Sequence, residues 1–434
     1  MNSGLVIREV TQITNNVTNA SNINYDVTIH TKDTDTNLDM LETIVTTEDY
    51  NNFIGDYIVV SCLVGAGFYN YKIKPYSNNL EMTISKYILE ELESTETYKA
   101  VILSMDNEYD GVKGNYTEAD LDKANIMRIS FQLMTRELEI IRSLKVDGIY
   151  KNTTLKKVLY GTATRGFNSV KINSENIDAN INIVEPDNQK TYGHIIIPTG
   201  TRLLDLPTFL QDTIYGVYNG DIGVYFKKYL AEKVMKLNLF IFPLYNFEHN
   251  VDRELYIYHT NEKIYDELEN TYKVVGDIVK IISASNLKVI SVGENLDMNN
   301  GNAVTSSDPY TITDYNSSVS DTNVTYDKDT QVKGIKSYDR EDGVTIENYV
   351  GSESNLFKHK SKVLDQSLGV YQVTWNFSNH TLLVPGMVTT LFYQKDEEVV
   401  QLKGVLQIAF TVYNESTKTV STLLNLKLKE YEDD

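Results

Sequence analysis

Between Tyr371 and Ser378 apolar and polar side chains alternate without a break: Tyr371, Val373, Trp375 and Phe377 against Gln372, Thr374, Asn376 and Ser378. Successive side chains of an extended strand point to opposite faces, so this stretch places all its apolar groups on one side of a sheet. A turn at Pro385-Gly386, strands over Met387 to Tyr393 and Val399 to Tyr413, a turn at Asn414 to Thr417 and a last strand from Thr419 to Lys429 follow. About five short strands in succession point to a small barrel or sandwich, here over residues 355–434.

The same period recurs near the start of the chain. Tyr25, Val27 and Ile29 alternate with polar neighbours. The runs Tyr57 to Val64 and Phe68 to Lys74 read as a β-hairpin turning at Gly65-Ala66-Gly67. Leu80, Met82 and Ile84, then Tyr98 to Met105 and Ile126 to Leu138, continue the strands. Thr47 is placed to cap a short helical turn at Glu48-Asp49-Tyr50. Residues 1–150 are therefore expected to form a first all-β unit.

The middle differs. A helix is expected from Leu155, after Thr153 or Thr154, with Gly161 as its stop. A second is expected over Asp205 to Tyr215, with Leu206, Phe209, Leu210 and Ile214 on one face. Strands over Ile222 to Leu230 and Lys236 to Phe242, and a pair over Thr271 to Ile282 and Leu287 to Val292, make 151–294 an α+β region. Residues 295–354 are rich in Asn, Ser, Asp and Thr and read as a long polar loop or insertion. The fold class is mainly β: two small tube-like barrels with a mixed domain inserted between them.

Charge and chemistry narrow the function. The net charge of -20 opposes any grip on phosphate backbones, although it suits a passage through which DNA slides. The single cysteine, Cys62, lies in an apolar run and reads as a buried small hydrophobe. Neither a secretory start nor an apolar stretch long enough to span a membrane is present. No two of the six histidines stand at the spacing that sets metal ligands on one helical face. Asp106-x-Glu108-x-Asp110-Gly111 opens like a calcium loop, but Thr117 stands where the bidentate acid belongs and Glu118 comes one position late. Phosphate-loop, dinucleotide and nucleophile-elbow motifs are absent, so no cofactor, metal or catalytic set is assigned. Two tyrosine groups, Tyr69, Tyr71 and Tyr76, and Tyr215, Tyr218 and Tyr225, suit a strand core or a subunit interface better than a sugar-stacking platform. Tyr69, Tyr71, Tyr371, Val373, Trp375, Phe377 and Phe392 are the candidate barrel-core or interface residues.

Three stretches resemble the baseplate hub proteins of contractile-tailed bacteriophages. They are DYIVVSCLVGAGFYNYKIKPYSNNLEMTI from Asp56 to Ile84, IIIPTGTRLLDLPTFLQDTIYGVYNGDIGVYFKKYL from Ile195 to Leu230, and VPGMVTTLFYQKDEEVVQLKGVLQIAFTVYNES from Val384 to Ser416. The resemblance implies two tube-like barrels per chain and a homotrimer whose six barrels match a hexameric tail tube. It implies a tail-tube or distal tail protein above, a central spike protein below, and tape-measure protein and DNA passing through without specific binding. The expected place is the tail baseplate of the virion, after synthesis in the host bacterial cytoplasm, and no enzymatic role is expected. A glycan-binding adhesin or glycan-cleaving tail enzyme, and another virion ring protein such as a collar, sheath or capsid protein, are the alternatives.

Overall fold

The computed structural model describes residues 23–106 except 89, residues 126–247 except 173–174, 177–178 and 232–233, and, beyond 253, residues 254–259, 271–274, 278–283, 310–312, 322–326, 332–335, 338–339, 345–346, 357, 364–365, 368–376, 378, 380, 383–395 and 398–430. It is mainly β.

The first strand group comprises β1 (Ile23–His30), β2 (Asp35–Asn37), β3 (Leu41–Asp49), β4 (Tyr57–Gly65), β5 (Leu80–Ile88), β6 (Glu91–Asp106) and β7 (Ile126–Thr135). The middle holds β8 (Lys145–Thr153), β9 (Lys171–Ile172), β10 (Glu175–Asn176), β11 (Ala179–Ile183), β12 (Tyr192–Arg202), β13 (Ile222–Ala231) and β14 (Val234–Pro243), with helices Leu155–Asn168 and Leu206–Asp212. Then come β15 (Glu254–His259), β16 (Thr271–Val274) and β17 (Ile278–Ser283). The short strands β18 (Tyr310–Ile312), β19 (Thr322–Tyr326), β20 (Val332–Ile335), β21 (Tyr338–Asp339) and β22 (Thr345–Ile346) follow. The chain closes with β23 (Gly369–Asn376), β24 (Val388–Lys395), β25 (Glu398–Asn414) and β26 (Thr419–Glu430).

The strand groups at the two ends belong to one 14-stranded sheet, in the order β16-β15-β24-β25-β3-β4-β7-β6-β5-β1-β2, with β26, β23 and β17 branching from β25. β25 makes this possible by changing partners. Along one edge it pairs β24 over Glu398 to Val405 and then β3 over Ile408 to Asn414, while its other edge pairs β26. A register irregularity between Leu406 and Ile408 marks the change, the local bend that an extra residue gives a strand. There the Tyr50 N–H donates to the Gln407 carbonyl at 3.0 Å.

Period-2 burial runs through the sheet. Ile58, Val60, Cys62 and Val64 of β4 and Met127, Ile129, Phe131 and Leu133 of β7 point into one core. Tyr371, Val373 and Trp375 of β23 point into another. The cores interlock: Tyr413 and Val420 of the last group lie in the first core, and Tyr50 of the first group lies in the last. A third core joins helix Leu155–Asn168, helix Leu206–Asp212 and the inner faces of β12, β13 and β14.

Four local expectations need correction. Residues after β4 do not return as a hairpin strand; Ala66–Phe68, Tyr69–Ile73 and Lys74–Tyr76 are helical turns. In a strand Tyr69, Tyr71 and Ile73 would share a face, but Tyr69 and Ile73 are buried and Tyr71 is 79% exposed, a helical period. Thr47 caps no helix, because β3 runs on to Asp49 and is paired on both edges; Asp49 instead accepts from the Asn51 and Asn52 N–H groups, both at 3.0 Å. The strand from Ile126 ends at Thr135, whose hydroxyl caps helix Arg136–Ile141 with Glu137 and Glu139 in its first turn. Helix Leu155–Asn168 passes through Gly161, which faces open space, and its buried side is continued by Gly166, close against Leu144 and Leu203.

The Asp106 loop beyond its first residue, and the expected strand from Leu287 to Val292, lie outside the described residues. Within 295–354 the described residues are those of β18 to β22.

Candidate functional site

The join between β3 and β25 gives the sheet a continuous second face. Opposite the buried row, Ser421, Val412, Val45, Val59 and Gln132 stand side by side on β26, β25, β3, β4 and β7. A neighbouring row runs Thr419, Asn414, Thr43, Ser61 and Ser130, with the Ser61 and Ser130 hydroxyls 2.9 Å apart. These side chains are half-buried and uncharged. Such a face can lie along another surface without offering the ammonium and guanidinium groups that hold phosphates. On β7 the same face carries Arg128, which Glu42 holds bidentately at 2.7 and 2.8 Å.

Behind the sheet lies a second feature, a cavity of about 110 Å³ where the first strand group meets β13 and the loop before β24. Its walls carry Glu48, Asp56, Lys86, Glu96, Lys227, Lys228 and His380. Lys227, 5% exposed, binds Glu48, 2% exposed, at 2.6 Å. The same ammonium donates to the Leu383 carbonyl at 3.0 Å, so one side chain from β13 ties β3 to the last strand group. The Tyr50 hydroxyl donates to the same Glu48 carboxylate. Beside this pair the Tyr225 hydroxyl donates to Asp56 at 2.9 Å, and the Tyr50 and Tyr225 rings meet edge to face at 4.9 Å.

The remaining cations are also paired. Lys228 binds Glu96 at 2.6 Å and Glu137 at 3.4 Å, and Lys86 binds Glu93 at 2.6 Å. Burial works against the Lys228 ammonium, but its two carboxylates hold its pKa above the usual lysine value. Burial, with Lys86 and Lys227 adding to it, drives the His380 imidazole well below its ordinary value, and its Nδ1 has no hydrogen-bond partner among the described residues. Burial and the Glu48 carboxylate push Asp56 up to about 7, against the opposing effects of Lys227 and the Tyr225 hydrogen bond.

Of the residues singled out from the sequence, Tyr371, Val373 and Trp375 come together in the last core. Phe392 is half-buried on β24 and stacks on Tyr256 at 6.2 Å. Tyr69 lies in the first core, Tyr71 points away from it, and Phe377 lies outside the described residues. Tyr215, Tyr218 and Tyr225 are buried, which leaves them no platform for a sugar ring. The Glu48, Asp56 and Lys227 group went unread in the sequence. Its signal is Lys227-Lys228 inside the aromatic strand VYFKKYL: both faces of β13 are covered, so neither lysine can turn fully to solvent.

Among the described residues no group of three or more His, Cys, Asp or Glu side chains is arranged to hold a metal ion. No helix among them is long and apolar enough to cross a membrane. Cys62 is buried, and burial, with the Glu42 carboxylate adding to it, pushes its thiol up to about 12. A disulfide reagent at neutral pH should therefore leave Cys62 unmodified in the folded protein and react fully once denaturant is added; rapid labelling of the folded chain would contradict its position in β4.

No family model and no curated protein matches the sequence. Solved structures that the chain resembles include tail proteins and a type VI secretion system component. The tail protein from Neisseria meningitidis MC58 matches with 11% identity and a TM-score of 0.42, over 93% of this chain and 96% of that one. The 43 kDa tail protein of prophage MuSo2 from Shewanella oneidensis matches with 9% identity and a TM-score of 0.45, over the same shares of the two chains. An E. coli type VI secretion component, described as structurally similar to the T4 bacteriophage tail proteins gp27 and gp5, matches with 9% identity and a TM-score of 0.40, over 93% of this chain and 77% of that one.

Proposed function

We propose that the protein is a non-enzymatic structural component of a contractile phage tail, a baseplate hub that joins a hexameric tail tube to a central spike. Residues 1–150 and 355–434 act as its two tube-like units, 151–294 as the middle domain and 295–354 as an insertion. It works as a homotrimer in the virion, against a tail-tube or distal tail protein and a spike protein, with tape-measure protein and DNA passing along its axis. The protein is made in the host cytoplasm and breaks no bond.

The observation that supports this most is the seam between β3 and β25. It joins the two terminal strand groups edge to edge, so one chain already supplies two adjoining wall segments. The same kind of join, repeated between copies by a closed rotation, makes a ring with no exposed strand edge left in the wall. The uncharged rows across β26, β25, β3, β4 and β7 are the proposed lining of the passage, where side chains that carry no charge let a polyanion slide.

Light scattering of the purified full chain, with electron micrographs of the same sample, tests the assignment. A trimeric mass and a ring with an axial opening are expected. A stable monomer that forms no ring would overturn it, and a lattice or long tube would assign the chain to another virion ring protein.

A further inference from the structure

The cavity behind the sheet is built from every part of the described chain that meets there. Around it stand Tyr25 from β1, Glu48 from β3, Asp56 at the entry to β4, Lys86 from β5, Glu96 and Tyr98 from β6, Lys227 and Lys228 from β13, and His380 from the loop before β24. Glu93, Tyr50, Tyr225 and Glu137 back these walls through the contacts described above. The charges do not balance. Glu48, Asp56, Glu93, Glu96 and Glu137 face three ammonium groups, Lys86, Lys227 and Lys228, so five carboxylates meet three cations when all are ionised. His380 offers no compensating charge, since its imidazole is held neutral.

Of the two carboxylates in surplus, Glu137 shares Lys228 with Glu96, and Asp56 is the one that contacts no lysine among the described residues. Glu48, Glu93 and Glu96 each have a lysine within 2.6 Å, and Glu137 has one at 3.4 Å. Among the described residues, Asp56 instead accepts from the neutral Tyr225 hydroxyl. Asp56 is also half-buried and lines the cavity, which leaves it in reach of solvent protons.

We propose that this cavity is a proton-operated latch: Asp56 takes up a proton to close the joint between the first strand group and β13, and its ionisation loosens that joint. The latch pulls on the Tyr225 contact and, through Glu48 and Lys227, on the tie to Leu383. Its direction follows from linkage. The folded Asp56 holds its proton up to about pH 7, well above the ordinary carboxyl value of 3.8, so the folded joint binds more protons than the opened one between those limits. Stability contributed here is greatest at the acidic end of that window, falls as the pH rises through it, and changes no further above about 7.

Hydrogen exchange of the intact chain, followed at β3, β4 and β13 and corrected for intrinsic exchange, tests the latch. The opening equilibrium of these strands should rise roughly tenfold per pH unit between about pH 5 and 7 and then level off. In Asp56→Asn that slope should be absent. Tyr225→Phe, which keeps the ring and removes only the hydrogen bond that favours ionised Asp56, should fold and move the levelling point to higher pH. A flat profile in the unaltered protein, an unchanged slope in Asp56→Asn, or a levelling point that stays in place in Tyr225→Phe would overturn the proposal.

Discussion

Lys227→Met should cost about 3–5 kcal/mol of stability, because it leaves Glu48 as a buried carboxylate without its cation. Glu48 is 2% exposed, and the Tyr50 hydroxyl that remains to it is a neutral donor that cannot balance a full charge. The Leu383 carbonyl loses its donor in the same step, so β13 and the last strand group lose their shared tie. Urea unfolding followed by tyrosine and tryptophan fluorescence would read the loss. The double variant Lys227→Met, Glu48→Gln should recover a large part of it, since the stranded charge is then gone and the methionine stem still fills the space. A single-variant loss below about 1 kcal/mol would mean that the pair does not hold the junction.

Tyr413→Ala should be nearly as damaging, at about 3–5 kcal/mol, and should also abolish the ring expected of the assembled protein. Tyr413 sits on β25 within the seam, is 1% exposed, and inserts into the core of the first strand group. Its ring meets Tyr25 at 4.6 Å, and its hydroxyl donates to Glu415. Alanine would leave a cavity where the two cores interlock. Tyr413→Phe keeps the ring and removes only the hydroxyl contact, so a loss of about 1 kcal/mol is expected. Calorimetry of the three proteins separates the two effects; equal losses in the alanine and phenylalanine variants would show that ring burial is not what holds the seam.

Where a strand buries one face against a core, the chain wrote it plainly. Met127, Ile129, Phe131 and Leu133, and again Tyr371, Val373 and Trp375, alternate with polar neighbours, and each set is buried. The segment after Gly65 misled because aromatic residues at Tyr69 and Tyr71 mimic alternation, while the buried pair is Tyr69 and Ile73 at helical spacing. Thr47 misled in the opposite sense: a good cap residue with acids after it is a local preference, and pairing on both edges of β3 overrides it. The seam itself could not be read from the sequence. Its strands come from opposite ends of the chain, and nothing in Thr43 to Asp49 names Ile408 to Asn414 as a partner. The buried junction was half legible, since adjacent lysines in a strand covered on both faces require anions nearby, but a sequence holding 60 acidic residues does not say which of them answer.

The change of partner along β25 also sets how the molecule meets mechanical load. Seven residue pairs, Ile408 with Asp49 through Asn414 with Thr43, hold the seam, and their hydrogen bonds run across the strands. A pull parallel to the strands strains those bonds together, in shear, and the two groups resist as a unit. A pull that spreads the strands apart from one end meets the bonds one after another, like a zipper. Next to one end of this zipper the Tyr50 N–H is bonded to the Gln407 carbonyl and the Tyr50 side chain lies in the opposite core, so an opening started from that side has to extract a buried ring before it can advance.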